Sequence, residues 1–225
     1  GRDVFGFNNE NFDFNFDWGN ATGTMRWNHT FNSRLFANTT FTYSDYQYNI
    51  SNRLTGFSFD LGSSVTDASL KTDFYYAPNN KHNLRFGANV IYHSFKVGRL
   101  KAGSDDGLVQ FSAGQDFDGT EFGAYFLDEF SWSERLRIQA GLRVSGFYND
   151  NDFSFGLEPR AAARYTLSPR ISLKASYARM YQYVHLVSNS NIALPTDIWY
   201  PTTQNVKPQI SDQVAVGWGF QLSKD

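Results

Sequence analysis

Between Arg135 and Ser145 the chain reads RLRIQAGLRVS, which puts Leu136, Ile138, Ala140, Leu142 and Val144 on one face of an extended strand. Arg137, Gln139, Arg143 and Ser145 fall on the other face. The alternation runs over about ten residues, the length a tilted strand needs to cross a bilayer, so it separates an apolar surface from a wet one over a full membrane thickness. Similar strands meet at short turns along the whole chain. This layout favours a transmembrane β-barrel over a soluble sandwich.

Composition agrees with that reading. Aromatic residues make up 18% of the 225 residues, yet mean hydropathy is −0.47 because Asn, Ser, Thr and Gly fill the gaps. A barrel wall has this character, since averaging over its lipid face and its polar lumen hides both. There is no apolar run of about 18 residues, which excludes a transmembrane helix. A net charge of −2 offers no basic field for nucleic acid. The absence of cysteine excludes disulfides, Fe–S clusters and thiolate zinc sites.

Period-two segments between turn signals predict strands near 21–31, 35–49, 56–77, 83–97, 120–132, 135–149, 155–167, 171–184 and 211–223. The alternating Phe12, Phe14, Phe16 and Trp18 suggest a tenth over 3–18. The fold class expected is therefore all-β, an antiparallel meander of about 9–10 long strands. Connections alternate between short ones, such as Asn32-Ser33-Arg34 and Ser168-Pro169-Arg170, and longer ones at 98–119 and 185–210. Short periplasmic and long extracellular connections would produce this pattern. On the lipid side stand Leu84, Phe86, Ala88, Val90 and Tyr92, then Ala161, Ala163, Tyr165 and Leu167, then Ile171, Leu173, Ala175 and Tyr177. Trp27, Phe31, Phe130, Trp132 and Trp218 suit interfacial girdles.

The strand count and the chain ends point to a single barrel segment, 1–225, of a larger barrel. Gly1-Arg2-Asp3 opens no secretory signal, and Lys224-Asp225 does not read as a closing strand.

The stretch SNSNIALPTDIWYPTTQNVKPQISDQ (Ser188 to Gln213), following Tyr177-Ala-Arg-Met-Tyr-Gln-Tyr-Val-His185-Leu186, resembles the barrel of TonB-dependent outer-membrane receptors. It is most similar to the group whose mature chain begins with a carboxypeptidase-regulatory-like domain. Phe16-Asp-Trp-Gly-Asn-Ala-Thr22, Met25-Arg-Trp-Asn28, Leu35-Phe36, Asn38-Thr39-Thr40, Tyr43-Ser44, Gly141-Leu-Arg-Val144 and Glu158-Pro-Arg160 carry the likeness across nearly the whole chain. The resemblance implies a barrel of about 22 strands with a plugged lumen, of which this chain supplies roughly ten. It also implies a plug domain, an inner-membrane energy-transducing partner, a Gram-negative outer-membrane location and a small-molecule nutrient; plug and partner-binding box are not visible in the sequence.

No residue set suggests catalysis. His29, His82, His93 and His185 lack metal-ligand spacing, and no nucleophile elbow, phosphate loop or dinucleotide fingerprint occurs. Asp105-Asp106, Asp116 and Asp118 with Glu121, and Asp150 with Asp152 could offer oxygen ligands to calcium but do not match the twelve-residue calcium loop, so they read as solvated loop tips. The Asn-x-Ser/Thr triplets at Asn20, Asn28, Asn38 and Asn49 are chance products of Asn- and Thr-rich strands. The lumen-facing cations Arg85, Arg137, Arg143, Arg160, Arg164 and Lys174 could draw in an anionic metal chelate; the competing role, favoured because buried charge must be paired, is to pair with acids or grip a plug. In the loop 185–210, Asp197, Trp199 and Tyr200 form the best candidate ligand-binding surface, with the prolines stiffening it and loop packing as the alternative role.

The function expected is the barrel portion of a non-enzymatic uptake receptor for a metal chelate, haem or oligosaccharide, with no cofactor. Alternatives are a complete small barrel enzyme and a soluble β-sandwich binding module, the latter requiring a second sheet over the Leu136/Ile138/Leu142 face. An isolated segment would expose two sheet edges and self-associate through them.

Overall fold

The computed structural model describes residues 1–9, 12–150, 152–187 and 198–221. The strands are β1 (Arg2–Asn9), β2 (Phe12–Asn32), β3 (Leu35–Leu54), β4 (Phe57–Tyr76), β5 (His82–Ser104), β6 (Gln110–Ser131), β7 (Leu136–Asn149), β8 (Asp152–Ser168), β9 (Ile171–Gln182), β10 (Val184–Val187), β11 (Ile198–Pro201) and β12 (Gln209–Phe220). β1 to β9 and β12 form one ten-stranded antiparallel sheet in that order, and β10 pairs with β11 as a separate hairpin. The expected all-β meander is what the chain forms.

At one end of the sheet the reversals share a local device. Asn32 Oδ1 accepts from the backbone N–H groups of Arg34 and Leu35, at 2.9 and 3.0 Å, and Asn79 Oδ1 accepts from Lys81 and His82, at 2.9 and 3.1 Å. Ser133 Oγ and Ser168 Oγ do the same for Arg135 and Arg170. A short side chain thus satisfies the donors that the strand ladder releases at each turn.

The other end departs from expectation in two places. The segment 98–119 is not a long loop: β5 and β6 continue to Ser104 and from Gln110, leaving a tight turn in which Gly107 has φ 72°. A bulge between Val97 and Leu100, where Gly98 has φ 55°, shifts the register and interrupts the apolar alternation that would have marked the strand. Likewise 3–18 is not one strand. Pairing of Asn9 with Phe12 and of Arg2 with Gly19 folds it into a hairpin of β1 and β2. The long-loop pattern survives only at 183–208, and the predicted 171–184 strand ends at Gln182.

β2 to β6 are 20 to 23 residues long, about twice what a bilayer crossing requires. One face presents Met25, Trp27, Phe41, Leu70, Val90, Phe126, Leu142, Leu173, Val216 and Trp218, all exposed. Register puts the opposed pairs Leu70–Val90, Phe74–Phe86 and Leu142–Phe126 on this face. The opposite face, called inner here because the β10–β11 hairpin folds onto it, carries the residues buried most deeply: Phe95, Phe147, Ile50 and Tyr183. Phe16, Tyr48 and Ile50 form a core there, with Trp18, Tyr46 and Leu61 packed against it.

Candidate functional site

The inner wall is shaped by glycines that admit larger neighbours. Gly119 stands opposite His93 in the β5–β6 ladder, and a Cβ on it would come within 2.4 Å of Phe147 Cζ. The missing side chain lets the Phe147 ring reach His93, with centroids 6.2 Å apart. On β8, Gly156 leaves the space taken by the Tyr183 hydroxyl, which a Cβ would meet at 2.8 Å.

Tyr183 fastens the hairpin to this wall. Its hydroxyl lies 2.8 Å from Ser145 Oγ and its backbone carbonyl accepts from both the amide and the hydroxyl of Thr202, each at 2.7 Å. His185 Nε2 is 3.3 Å from Thr202 Oγ1, and Asn149 Nδ2 donates to the Thr202 carbonyl at 3.3 Å. Burial of the His185 ring favours its uncharged form and lowers its pKa. Tyr200 meets Phe117 edge to face at 5.0 Å.

Between hairpin and wall lies a cavity of about 540 Å³. Val184, Leu186 and Trp199 roof it; Tyr46, Val65 and Phe95 supply apolar wall; Asn20, Ser44, Asp67 and His93 supply polar groups. His93 Nδ1 is 2.8 Å from Asp67 Oδ1, while its Nε2 is buried and has no hydrogen-bond partner. Beside the cavity, Arg143 bridges Glu121 at 3.7 Å and Glu158 at 3.5 Å, and Arg160 reaches Glu158 at 3.9 Å. The Arg143 guanidinium lies over Gly123, whose Cβ would meet Nη2 at 2.8 Å.

The six cations predicted to line the lumen lie on this inner face and divide into two groups. Arg143 and Arg160 are ion-paired, and Arg85 sits 5.7 Å from the centroid of the Tyr75 ring. Arg137, Arg164 and Lys174 stand directly opposite one another across β7, β8 and β9, with no ion pair among the described residues. Of the predicted loop surface, Trp199 and Tyr200 are brought to the wall on β11, and Asp197 lies outside the described residues. Asp116 and Asp118 are separated from Glu121 by the pleat, and Asp116 instead pairs with Arg99. No group of three metal-ligating side chains occurs among the described residues. Sequence reading missed Asp67, His93, Phe147 and Tyr183, because the ladder register that joins them was not readable.

Several solved structures share this fold. The ferric yersiniabactin uptake receptor FyuA from Yersinia pestis aligns with TM-score 0.68 at 12% identity, over 94% of this chain and 34% of FyuA. The RagAB peptide importer in its closed-closed state aligns with TM-score 0.60 at 11% identity, over 92% of this chain and 28% of that one. The ferric preacinetobactin receptor BauA from Acinetobacter baumannii aligns with TM-score 0.56 at 14% identity, over 94% and 36%. The chain thus spans about a third of the length of these proteins. No curated protein sequence matches it. The family model described as TonB dependent receptor-like, beta-barrel matches residues 1–224, and the chain belongs to that family.

Proposed function

We propose that this chain is part of the wall of a Gram-negative outer-membrane receptor that takes up a small-molecule nutrient with energy supplied through a plug domain and an inner-membrane transducer. The exposed apolar face meets lipid, and the strand ends beyond the bilayer carry the ligand site on the outside of the cell. One observation carries the reading: the β10–β11 hairpin is pinned to the inner face of the sheet by Tyr183 and holds Trp199 over the cavity. A soluble sandwich would need a second sheet over the outer face, and the described residues provide none.

The row Arg137, Arg164 and Lys174 lies toward the short-turn end of the inner face, where the plug of the whole receptor would contact it. The open edges of β1 and β12 would be covered by the receptor's remaining strands, and would drive self-association of the segment alone. The geometry supports a binding and conducting role.

The test compares compounds depleted from the medium by Gram-negative cells making the full-length receptor with those depleted by cells making a receptor shortened by residues 184–201. A small molecule should disappear only with the intact receptor, and only while the inner-membrane transducer is present. Depletion independent of the transducer, or none at all, would overturn the proposal.

A further inference from the structure

The cavity under the hairpin is bordered by a carboxylate and by no lysine or arginine among the described residues. Asp67 borders it with a side chain that is 37% exposed, and the described lining residues include no lysine or arginine. The Arg143 guanidinium is taken up by Glu121 and Glu158. His93 lies against Asp67, and its buried Nε2 has no hydrogen-bond partner. The ring is further enclosed by Phe95, with centroids 5.5 Å apart, and Phe147. The 2.8 Å contact from His93 Nδ1 fixes the orientation of Asp67.

Trp199, 36% exposed, faces the same cavity beside the carboxylate, with Tyr46 and the buried Phe95 in its wall. A carboxylate set among aromatic rings is complementary to a cation attached to an apolar body, through a charge-assisted hydrogen bond and cation–π attraction together. An anionic chelate would bring like charge against Asp67 with no cation to receive it. We propose that this cavity binds ligands bearing a protonated amine next to an apolar or ring-shaped group, with Asp67 as the amine's counter-ion, His93 as the residue that positions it, and Trp199 as the covering face. This rests on reading the cavity as the receptor's ligand site.

The experiment measures binding of phenethylamine, phenethyl alcohol and phenylacetate to the full-length receptor purified in detergent, by titration calorimetry. These probes share a ring and differ in charge. The amine should bind about tenfold more tightly than the alcohol, with the carboxylate weakest. Asp67→Asn should erase the advantage of the amine while leaving the alcohol's affinity in place, which also shows that the variant is folded. Trp199→Ala should weaken the amine and the alcohol together. Equal or tighter binding of phenylacetate, an amine affinity indifferent to Asp67→Asn, or no binding of any probe would overturn the proposal. Binding is read here without energised uptake, so failure of the transport reading leaves this result interpretable by itself.

Discussion

The rings of Tyr183 and Phe147 are stacked with centroids 5.8 Å apart and planes 9° from parallel. Tyr183 is the first residue after β9 releases the sheet, so this stack decides whether the following hairpin stays on the inner wall. Tyr183→Ala should cost about 3–5 kcal/mol of hairpin docking, by analogy with truncation of buried aromatics. Tyr183→Phe keeps the stack and loses the Ser145 hydrogen bond, at a cost of about 1 kcal/mol. Amide hydrogen exchange at Leu186 and Trp199 reads the difference: protection should collapse in the alanine variant and largely persist in the phenylalanine variant.

Gly119 is the permissive counterpart of that stack. A methyl group there would stand 2.4 Å from Phe147 Cζ, so Gly119→Ala must push the ring off its place against His93 and Tyr183. Overpacking of this kind costs about 1–3 kcal/mol. A lower denaturant midpoint, accompanied by faster exchange in the hairpin, is the expected result. An unchanged midpoint would mean that the wall yields at this point more easily than its packing implies.

The strand system was legible because period-two alternation survives wherever one face is apolar, as in Leu136 to Val144. It failed at Gly98, where one added residue reverses the pattern, and between β1 and β2, where apolar residues on both arms of a hairpin imitate one continuous strand. Trp199 stood out in the sequence because large aromatics flanked by prolines are conspicuous in a polar loop. Asp67 and His93 did not, since they meet only through the β4–β5 register across 26 positions. Nor could alternation reveal which inward arginines find partners, because Arg143 and Arg164 occupy equivalent places in the pattern and differ only in the acids opposite them.

His185 gives the hairpin a pH dependence. Burial lowers its pKa below the ordinary 6.5 of the released hairpin, so the released form binds the proton more tightly. The stabilisation from the neutral ring is full above the ordinary value, declines as the solution is acidified through it, and is lost once pH falls below the lowered value. Proteolytic cleavage within the hairpin should therefore accelerate on mild acidification. His185→Gln should flatten that response without altering the cleavage rate of strands elsewhere, and an equally steep acid response in this variant would assign the effect to another group.

Arg143 is the cation on which two acids depend. Glu158 is 5% exposed and Glu121 is also turned inward, so replacing Arg143 with Met leaves both carboxylates in a partly desolvated wall, with Arg160 3.9 Å from Glu158. Removing one member of such a group costs about 3 kcal/mol or more. The double variant Arg143→Met with Glu158→Gln should recover much of that loss, because the buried charge goes with its partner.

The row of Arg137, Arg164 and Lys174 should respond with opposite signs in two settings. Like charges directly opposed across neighbouring strands cost about 0.2–1 kcal/mol, so neutralising the central one relieves repulsion on both sides. In a receptor whose region before the barrel has been deleted, Arg164→Gln should be neutral or should raise the urea midpoint. In the complete receptor the same change should lower it, because the acidic groups of the plug that would meet this row lose a partner. A midpoint that rises equally in both forms would remove the row from the plug contact.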